Sequence, residues 1–287
     1  MKTARGFFSI KFVFLLPAVI WILFFVIYPL GYALAMSFFE YRLGQGLTRF
    51  VYFNNYARML TSESFWNSFK VTLIFVGAAV SIEMVLGTFM AWLLNNKLKL
   101  SGFFHTVFTA PIFTTVVAIG YLGVTMFHQT SGPINYFLGK ELPWISDPFL
   151  ALAAMLLLDI WRWTPFVFVI LYAGFQGIPQ NMYESAYLET KSDWKIFRFV
   201  LLPYLIPNLT IVLLLRMVRA FKVFGLAVSL TGGGPGTATE VYTLLAYRTS
   251  IKFFDFGNGS ALAIIFLIFV MLVVTRLVGY MMKSWYS

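Results

Sequence analysis

The sequence has no cysteine, which excludes disulfides, thiolate metal sites and a cysteine nucleophile. Its two histidines, His105 and His128, are too few for a histidine-rich metal centre. Charge is scarce as well: Asp, Glu, Lys and Arg make up 11% of the 287 residues, where a soluble domain carries about 25%. No Gly-x-x-x-x-Gly-Lys-Ser/Thr segment occurs, so ATP, if it drives this protein, is expected on another subunit. What fills the chain is apolar: 60% hydrophobic residues, 33 of the total being Phe, and a mean hydropathy of +0.82. That combination excludes a soluble enzyme, a disordered chain and a peripheral protein with one anchor, and leaves a polytopic membrane protein. The net charge of +10 fits Lys and Arg held in the inner loops of a membrane protein better than it fits nucleic-acid binding.

A membrane helix needs about 20 mostly apolar residues. Stretches poor in charge predict six, over 12–35, 71–94, 103–127, 148–175, 201–229 and 257–280. The expected class is therefore all-α, a single transmembrane domain over 1–287 with no separate soluble part. The apolar run behind Met1-Lys2-Thr3-Ala4-Arg5 is too long for a signal-peptide core and lacks a small-residue cleavage site, so it reads as an uncleaved first helix. With both termini inside, the inner segments 1–11, 95–103, 177–200 and 276–287 carry Lys and Arg at about twice the density of the outer segments 35–70, 127–147 and 230–256.

Six ionisable residues fall at membrane depth: Glu83, Asp159, Arg162, Arg216, Arg219 and Lys222. Each costs several kcal/mol in hydrocarbon, so such groups mark a pathway, a cavity or structural ion pairs. Asp159 and Arg162 are three apart and are expected to pair along one helix face. Arg216, Arg219 and Lys222 step by three and fan across roughly 120° of a helix. Four cations against two acids leave a positive surplus. Trp161, Trp163, Phe166 and Phe168 are expected around Arg162, where flat aromatic faces suit the C–H faces of sugar rings; in a chain this aromatic they also suit packing and the lipid belt.

Two loops stand out. In 177–200, Pro179 starts a short helix, Met182, Ala186, Leu188 and Glu189 fit an amphipathic turn or two, and Ser192-Asp193 caps a second helix that runs into the fifth span. Such a helix suits docking on a soluble partner or resting on lipid. Thr231-Gly232-Gly233-Gly234-Pro235-Gly236 is a turn by composition; without a preceding strand or a following Gly-Lys-Ser/Thr it is no nucleotide loop.

Ile178-Pro179, Tyr183-Glu184-Ser185-Ala186 and Leu202-Pro203 together resemble the EAA loop of ABC importer permeases. Asp159-Ile160-Trp161-Arg162-Trp163-Thr164-Pro165-Phe166, Ala173 to Pro179, Phe221-Lys222-Val223-Phe224, Leu230 to Pro235, Tyr247-Arg248, Phe253 to Gly257 and Gly132-Pro133-Ile134-Asn135-Tyr136 extend the resemblance along nearly the whole chain, to the carbohydrate-uptake, maltose-type group. The resemblance implies a cytoplasmic coupling helix seated in an ATPase dimer through Glu184, Ser185, Ala186, Glu189 and Thr190. It implies substrate contacts at Asp159, Arg162, Trp163, Phe166, Arg216, Ala220 and Val223, and Arg219 is added for its proximity. It also implies a second permease subunit, an extracytoplasmic solute-binding protein, a sugar substrate, a bacterial or archaeal inner membrane, and ATP with Mg held on the ATPase rather than on this chain, which needs no metal. The cation surplus points to an acidic or heavily hydroxylated saccharide, such as a uronate oligomer. Thr190 stands where most members have Gly, so the turn or the partner's cleft is expected to differ. The competing readings are an ion-coupled secondary transporter working through Glu83 and Asp159, which six spans without a repeat do not favour, a membrane-embedded enzyme, which lacks a nucleophile–base pair, and a structural subunit.

Overall fold

A computed structural model describes residues 14–42, 44, 46–95 and 101–286 of the chain. The basic segment 1–11 and the loop residues 96–100, expected on the inner side, lie outside the described residues. Contacts divide the protein into two units, one of Met1–Phe65 with Ala246–Phe269 and one of Trp66–Leu245 with Val270–Ser287.

The first unit opens with α1 (Phe14–Met36), π-helical over Leu23–Ile27 and exposed over nearly its whole length, as a lipid-facing helix is. A hairpin follows, β1 (Phe39–Arg42) against β2 (Gly46–Phe50), antiparallel, then the short α2 (Asn54–Leu60). The buried Asn55 amide ties the hairpin down, donating to Ser37 O and Phe39 O, each at 2.9 Å. Gly257 packs so closely on the Phe39 carbonyl that a Cβ would collide with it. This small sheet was not anticipated: the segment 35–70 read as loop.

In the second unit, α3 (Glu63–Asn95, which begins in the first unit) is capped by Ser62, whose Oγ accepts from Phe65 N at 3.2 Å. Next come α4 (Ser101–Thr109) and α5 (Val116–Met126), then α6 (Pro133–Leu138) in the loop. There the Asn135 side chain donates to Gln129 O and Leu142 O and accepts from Trp144 Nε1. The long α7 (Pro148–Gln176) starts where Asp147 Oδ1 accepts from Phe149 N and Leu150 N. It is followed by α8 (Gln180–Glu189), α9 (Asp193–Tyr204, π-helical over Phe197–Leu201), α10 (Ile206–Phe221) and α11 (Gly225–Leu230). Two helices run across the division between units, α12 (Tyr242–Tyr247) and α13 (Phe256–Tyr286).

Four of these helices, α1, α3, α7 and α13, are long and apolar enough to cross a membrane, and two bent pairs bring the number to six. The bends correct the expectation of straight third and fifth spans. In the third, α4 passes through a 3-10 turn at Ala110–Phe113 and meets α5 at 100°. Pro111 cannot continue the hydrogen-bond ladder, and Thr115 restarts the helix by accepting from Ala118 N at 3.3 Å. In the fifth, Pro203 and Pro207 flank a 69° bend between α9 and α10, and α10 stops at Lys222 rather than running on to 229. The glycine-rich turn closes on itself through Thr231 and Thr239, whose hydroxyls lie 2.6 Å apart while Gly233 N donates to Thr231 Oγ1 at 3.1 Å.

Candidate functional site

Two helical stripes with the same spacing build the charged centre of the second unit. On α7, Asp159, Arg162, Trp163 and Phe166 follow i, i+3, i+4, i+7. On α10 and its C-terminal break, Arg216, Arg219, Ala220 and Val223 do the same. This spacing keeps four residues on one face of a helix.

Behind the stripes lies a closed ion network. The Arg216 guanidinium donates to both carboxylate oxygens of Glu83, at 2.8 Å from Nη2 to Oε1 and through a shorter Nε contact to Oε2, and its Nη2 also donates to Asp159 Oδ2. All three side chains are almost fully buried: Arg216 is 1% exposed, Glu83 0% and Asp159 5%. One cation thus satisfies two acids and joins α3, α7 and α10. The expected Asp159–Arg162 pair is corrected by this arrangement. Residues three apart on a helix can meet, but the buried guanidinium of α10 offers Asp159 a better-desolvated and charge-assisted partner.

In front of the network is a cavity of about 220 Å³. Asp159, Arg162, Trp163, Arg219, Ala220 and Val223 line it, as do Lys222 and the ensuing Phe224, Gly225 and Leu226, with Val116 and Ile119 of α5 opposite. Phe166 and Arg216 do not line it. Phe166 instead lies under Arg219, 5.4 Å from its guanidinium, and edge-on to Trp163 at 5.9 Å. Three guanidinium groups surround the Trp163 ring, those of Arg162 at 4.9 Å, Arg219 at 5.0 Å and Arg216 at 5.3 Å. Arg162 Nε is buried without a hydrogen-bond partner. Of the aromatics expected around Arg162, Trp163 alone has a ring contact with it among the described residues. Trp161 turns outward and is half-exposed, and the buried Phe168 packs on His105 and Tyr172 instead.

The sequence reading missed the α5 and α11 walls. Pro111 and the Thr114-Thr115 joint were the available signal, because a break there is what turns α5 toward the centre. Gly225 is a second signal: a side chain at that position would press on Val116.

At the other end of α7, α8 is anchored on one face and open on the other. Ala186 is 7% exposed and belongs to a core with Ile178, Ile196 and Phe197, with Met182 and Tyr183 packed against it. Expected among docking residues, Ala186 is therefore turned inward as a packing residue. Leu188 is 90% exposed, because it lies about 200° around the helix from Ala186. Glu184, Ser185 and Glu189 are exposed and Thr190 half-buried. Thr190 is extended at φ −153°, ψ 143°, and its Oγ1 accepts from Ser192 N at 3.2 Å, so the turn makes no demand that only glycine meets. Ser192 caps α9 by accepting from Lys195 N at 3.4 Å. A polar relay ties α8 to the helix ends beside it: Gln176 donates to Asn95 at 3.0 Å and Asn95 to Tyr183 at 2.9 Å. Burial raises the Tyr183 phenol above its usual pKa, and the Asn95 bond opposes that shift.

Residues 83–285 match the family described as binding-protein-dependent transport system inner membrane component. The chain belongs to this family. It is 33% identical over 272 residues to the trehalose/maltose transport system permease protein MalF of Thermococcus litoralis, covering 92% of this chain and 90% of the relative. It is 30% identical over 260 residues to the sulfoquinovosyl glycerol transport system permease protein SmoG of Agrobacterium fabrum, covering 88% and 83%. Its fold is shared with a bacterial ABC transporter involved in the import of the acidic polysaccharide alginate, at a TM-score of 0.85 and 20% identity, covering 97% of this chain and 99% of the other. The permease is thus a multi-pass inner-membrane component of a binding-protein-dependent ABC importer, as the residues around Glu184 implied. The relatives named for trehalose/maltose and sulfoquinovosyl glycerol are of the carbohydrate-uptake kind that the same residues resemble.

Proposed function

We propose that this permease forms one half of the membrane path of an ATP-driven saccharide importer, and that the saccharide is acidic. One observation carries the reading: a cavity of about 220 Å³ whose wall is an indole face set among Arg162, Arg219 and Lys222, while the acid beside them, Asp159, is already engaged by Arg216. That volume lies below the roughly 300–1,000 Å³ of drug-sized ligand pockets and suits a single sugar ring. Trp163 offers a flat apolar face to the ring. The uncompensated cations and the orphaned Arg162 Nε offer charge-assisted donors to a carboxylate or similar anion. Relatives named for sugars support the saccharide, and the structural neighbour that imports acidic alginate is in keeping with the charge.

In this reading both termini and α8 face the cytoplasm, where α8 seats in one member of an ATPase dimer that holds ATP and Mg. Glu184, Ser185, Glu189 and the exposed Leu188 make the contact, and the Gln176–Asn95–Tyr183 relay passes movement of α8 to α3 and α7. A second permease subunit supplies the other half of the path. An extracytoplasmic solute-binding protein delivers the saccharide to the segments 35–70 and 230–256, and membrane lipid surrounds the spans.

The assembled transporter, reconstituted in liposomes with its binding protein, tests the reading through Arg162→Gln with Arg219→Gln. Uptake of an oligouronate is expected to fall by roughly tenfold or more, the loss of one charged hydrogen bond of about 1.5–3 kcal/mol being enough, with stability little changed. Unchanged uptake removes the site. Uptake that survives ATP depletion and stops with an uncoupler replaces the importer with an ion-coupled carrier.

A further inference from the structure

A second concavity lies away from the charged centre, between α3 and α9. It is an open groove of about 350 Å³. Met84, Val85, Thr88 and Phe89 form one wall and Trp194, Phe197 and Leu202 the other. Its chemistry is the reverse of the first cavity's. The single hydroxyl in its lining, on Thr88, donates to Met84 O at 2.6 Å, and the rest of the wall is aliphatic or aromatic, which suits a hydrocarbon chain better than a saccharide. Trp92 stands beside it, packed tilted or edge-on among Phe89, Trp194 and Phe197 at centroid distances of 5.9, 5.9 and 4.9 Å.

The groove owes its shape to a local break in helix geometry. Phe197 and Leu202 bracket the π-helical turn Phe197–Leu201, and Pro203, which can neither donate to the ladder nor tolerate the carbonyl four residues back, accounts for the turn. Single π-turns of this kind recur at functional sites.

The rim is basic. Lys195 and Arg198 are exposed, each one position on from a lining aromatic, and Arg198 shares the face of Trp194, four residues before it. The Arg198 guanidinium rests 5.6 Å from the Phe199 ring, itself 69% exposed. The acid in the same turn, Asp193, is engaged by the Tyr187 hydroxyl at 3.1 Å. An apolar slot on membrane-spanning helices, with two exposed cations next in sequence to its aromatic lining, matches the two ends of one molecule: a hydrocarbon tail and an anionic headgroup. Basic pockets between membrane helices take lipids of that charge.

We propose that this groove is a binding site for an anionic phospholipid, with an acyl chain between α3 and α9 and its phosphate against Lys195 and Arg198. The site is independent of what the importer carries.

The probe is phosphatidylglycerol dibrominated on its acyl chain, added to phosphatidylcholine nanodiscs that hold the assembled transporter. Brominated phosphatidylcholine of the same chains is the control. Trp194 fluorescence is taken as the difference between the unaltered protein and Trp194→Phe. Half-maximal quenching of Trp194 is expected at a several-fold lower mole fraction of the anionic probe than of the control. Lys195→Gln with Arg198→Gln is expected to erase that several-fold preference, while the melting temperature stays put because both side chains are exposed. Equal quenching by both headgroups in the unaltered protein overturns the proposal and leaves ordinary surrounding lipid. Trp194 untouched by either probe also overturns it, because protein then covers the groove.

Discussion

The charged centre and α8 answer charge in opposite ways. At the centre, Glu83, Asp159 and Arg216 are buried and bonded to one another, so that part of the molecule is complete within the chain. On α8, Glu184, Glu189 and Leu188 stand in the open above a well-packed inner face of Ile178, Met182, Tyr183 and Ala186. Charged groups in a low-dielectric interior persist only when they are paired and hydrogen-bonded with good geometry. An exposed helix face has no such requirement and is free to be shaped by a partner. The difference separates residues that hold the permease together from residues that its own packing leaves open.

Substitutions should divide along the same line. The largest effect is expected at Arg216→Leu, which strands two buried carboxylates. Removing one partner of a buried network costs about 3–5 kcal/mol, to be read as a lowered melting temperature and a low yield of assembled transporter. If Arg216→Leu melts like the unaltered protein, the network is not structural and the contrast with α8 fails. Leu188→Asp comes next and should leave melting unchanged, since exposed substitutions stay within about 0.5 kcal/mol. It should nonetheless weaken co-purification of the ATPase by roughly tenfold, the cost of placing a charge where a buried apolar contact forms. Normal co-purification would mean that α8 docks through another face or not at all. The smallest effect is expected at Thr190→Gly. The backbone there is extended, so the change restores no needed freedom and costs only about 0.5–1 kcal/mol of chain entropy. Uptake close to normal is the expected outcome, and a clear gain would show that the partner's cleft demands glycine.

How far the sequence could be read followed the range of the forces involved. The cost of charge in hydrocarbon picked out Glu83, Asp159 and Arg216 correctly, because that argument needs only composition and length. It could not say which acid meets which cation: Asp159 and Arg162 are neighbours along α7, whereas Arg216 reaches Asp159 across 57 positions of sequence. The cap at Ser192 and the helix start after Pro179 were legible because capping is local. The bends at Pro111 and between Pro203 and Pro207 left a mark too, but hydropathy averaged over a span of about 20 residues conceals a proline. The walls that α5 and α11 give the cavity could not be read at all without those bends. Which side of α8 packs was not legible, because two turns of helix contain too few apolar residues to fix a phase.

The carboxylates of Glu83 and Asp159 fasten three spans to a single guanidinium, so α3, α7 and α10 have little freedom to slide past one another at that depth. Any swing of this permease must then be taken up at joints outside that clasp. Among the described residues two bends lie outside it, the elbow between Phe113 and Val116 and the one at Leu205. A transporter so arranged turns on its elbows while its heart stays still.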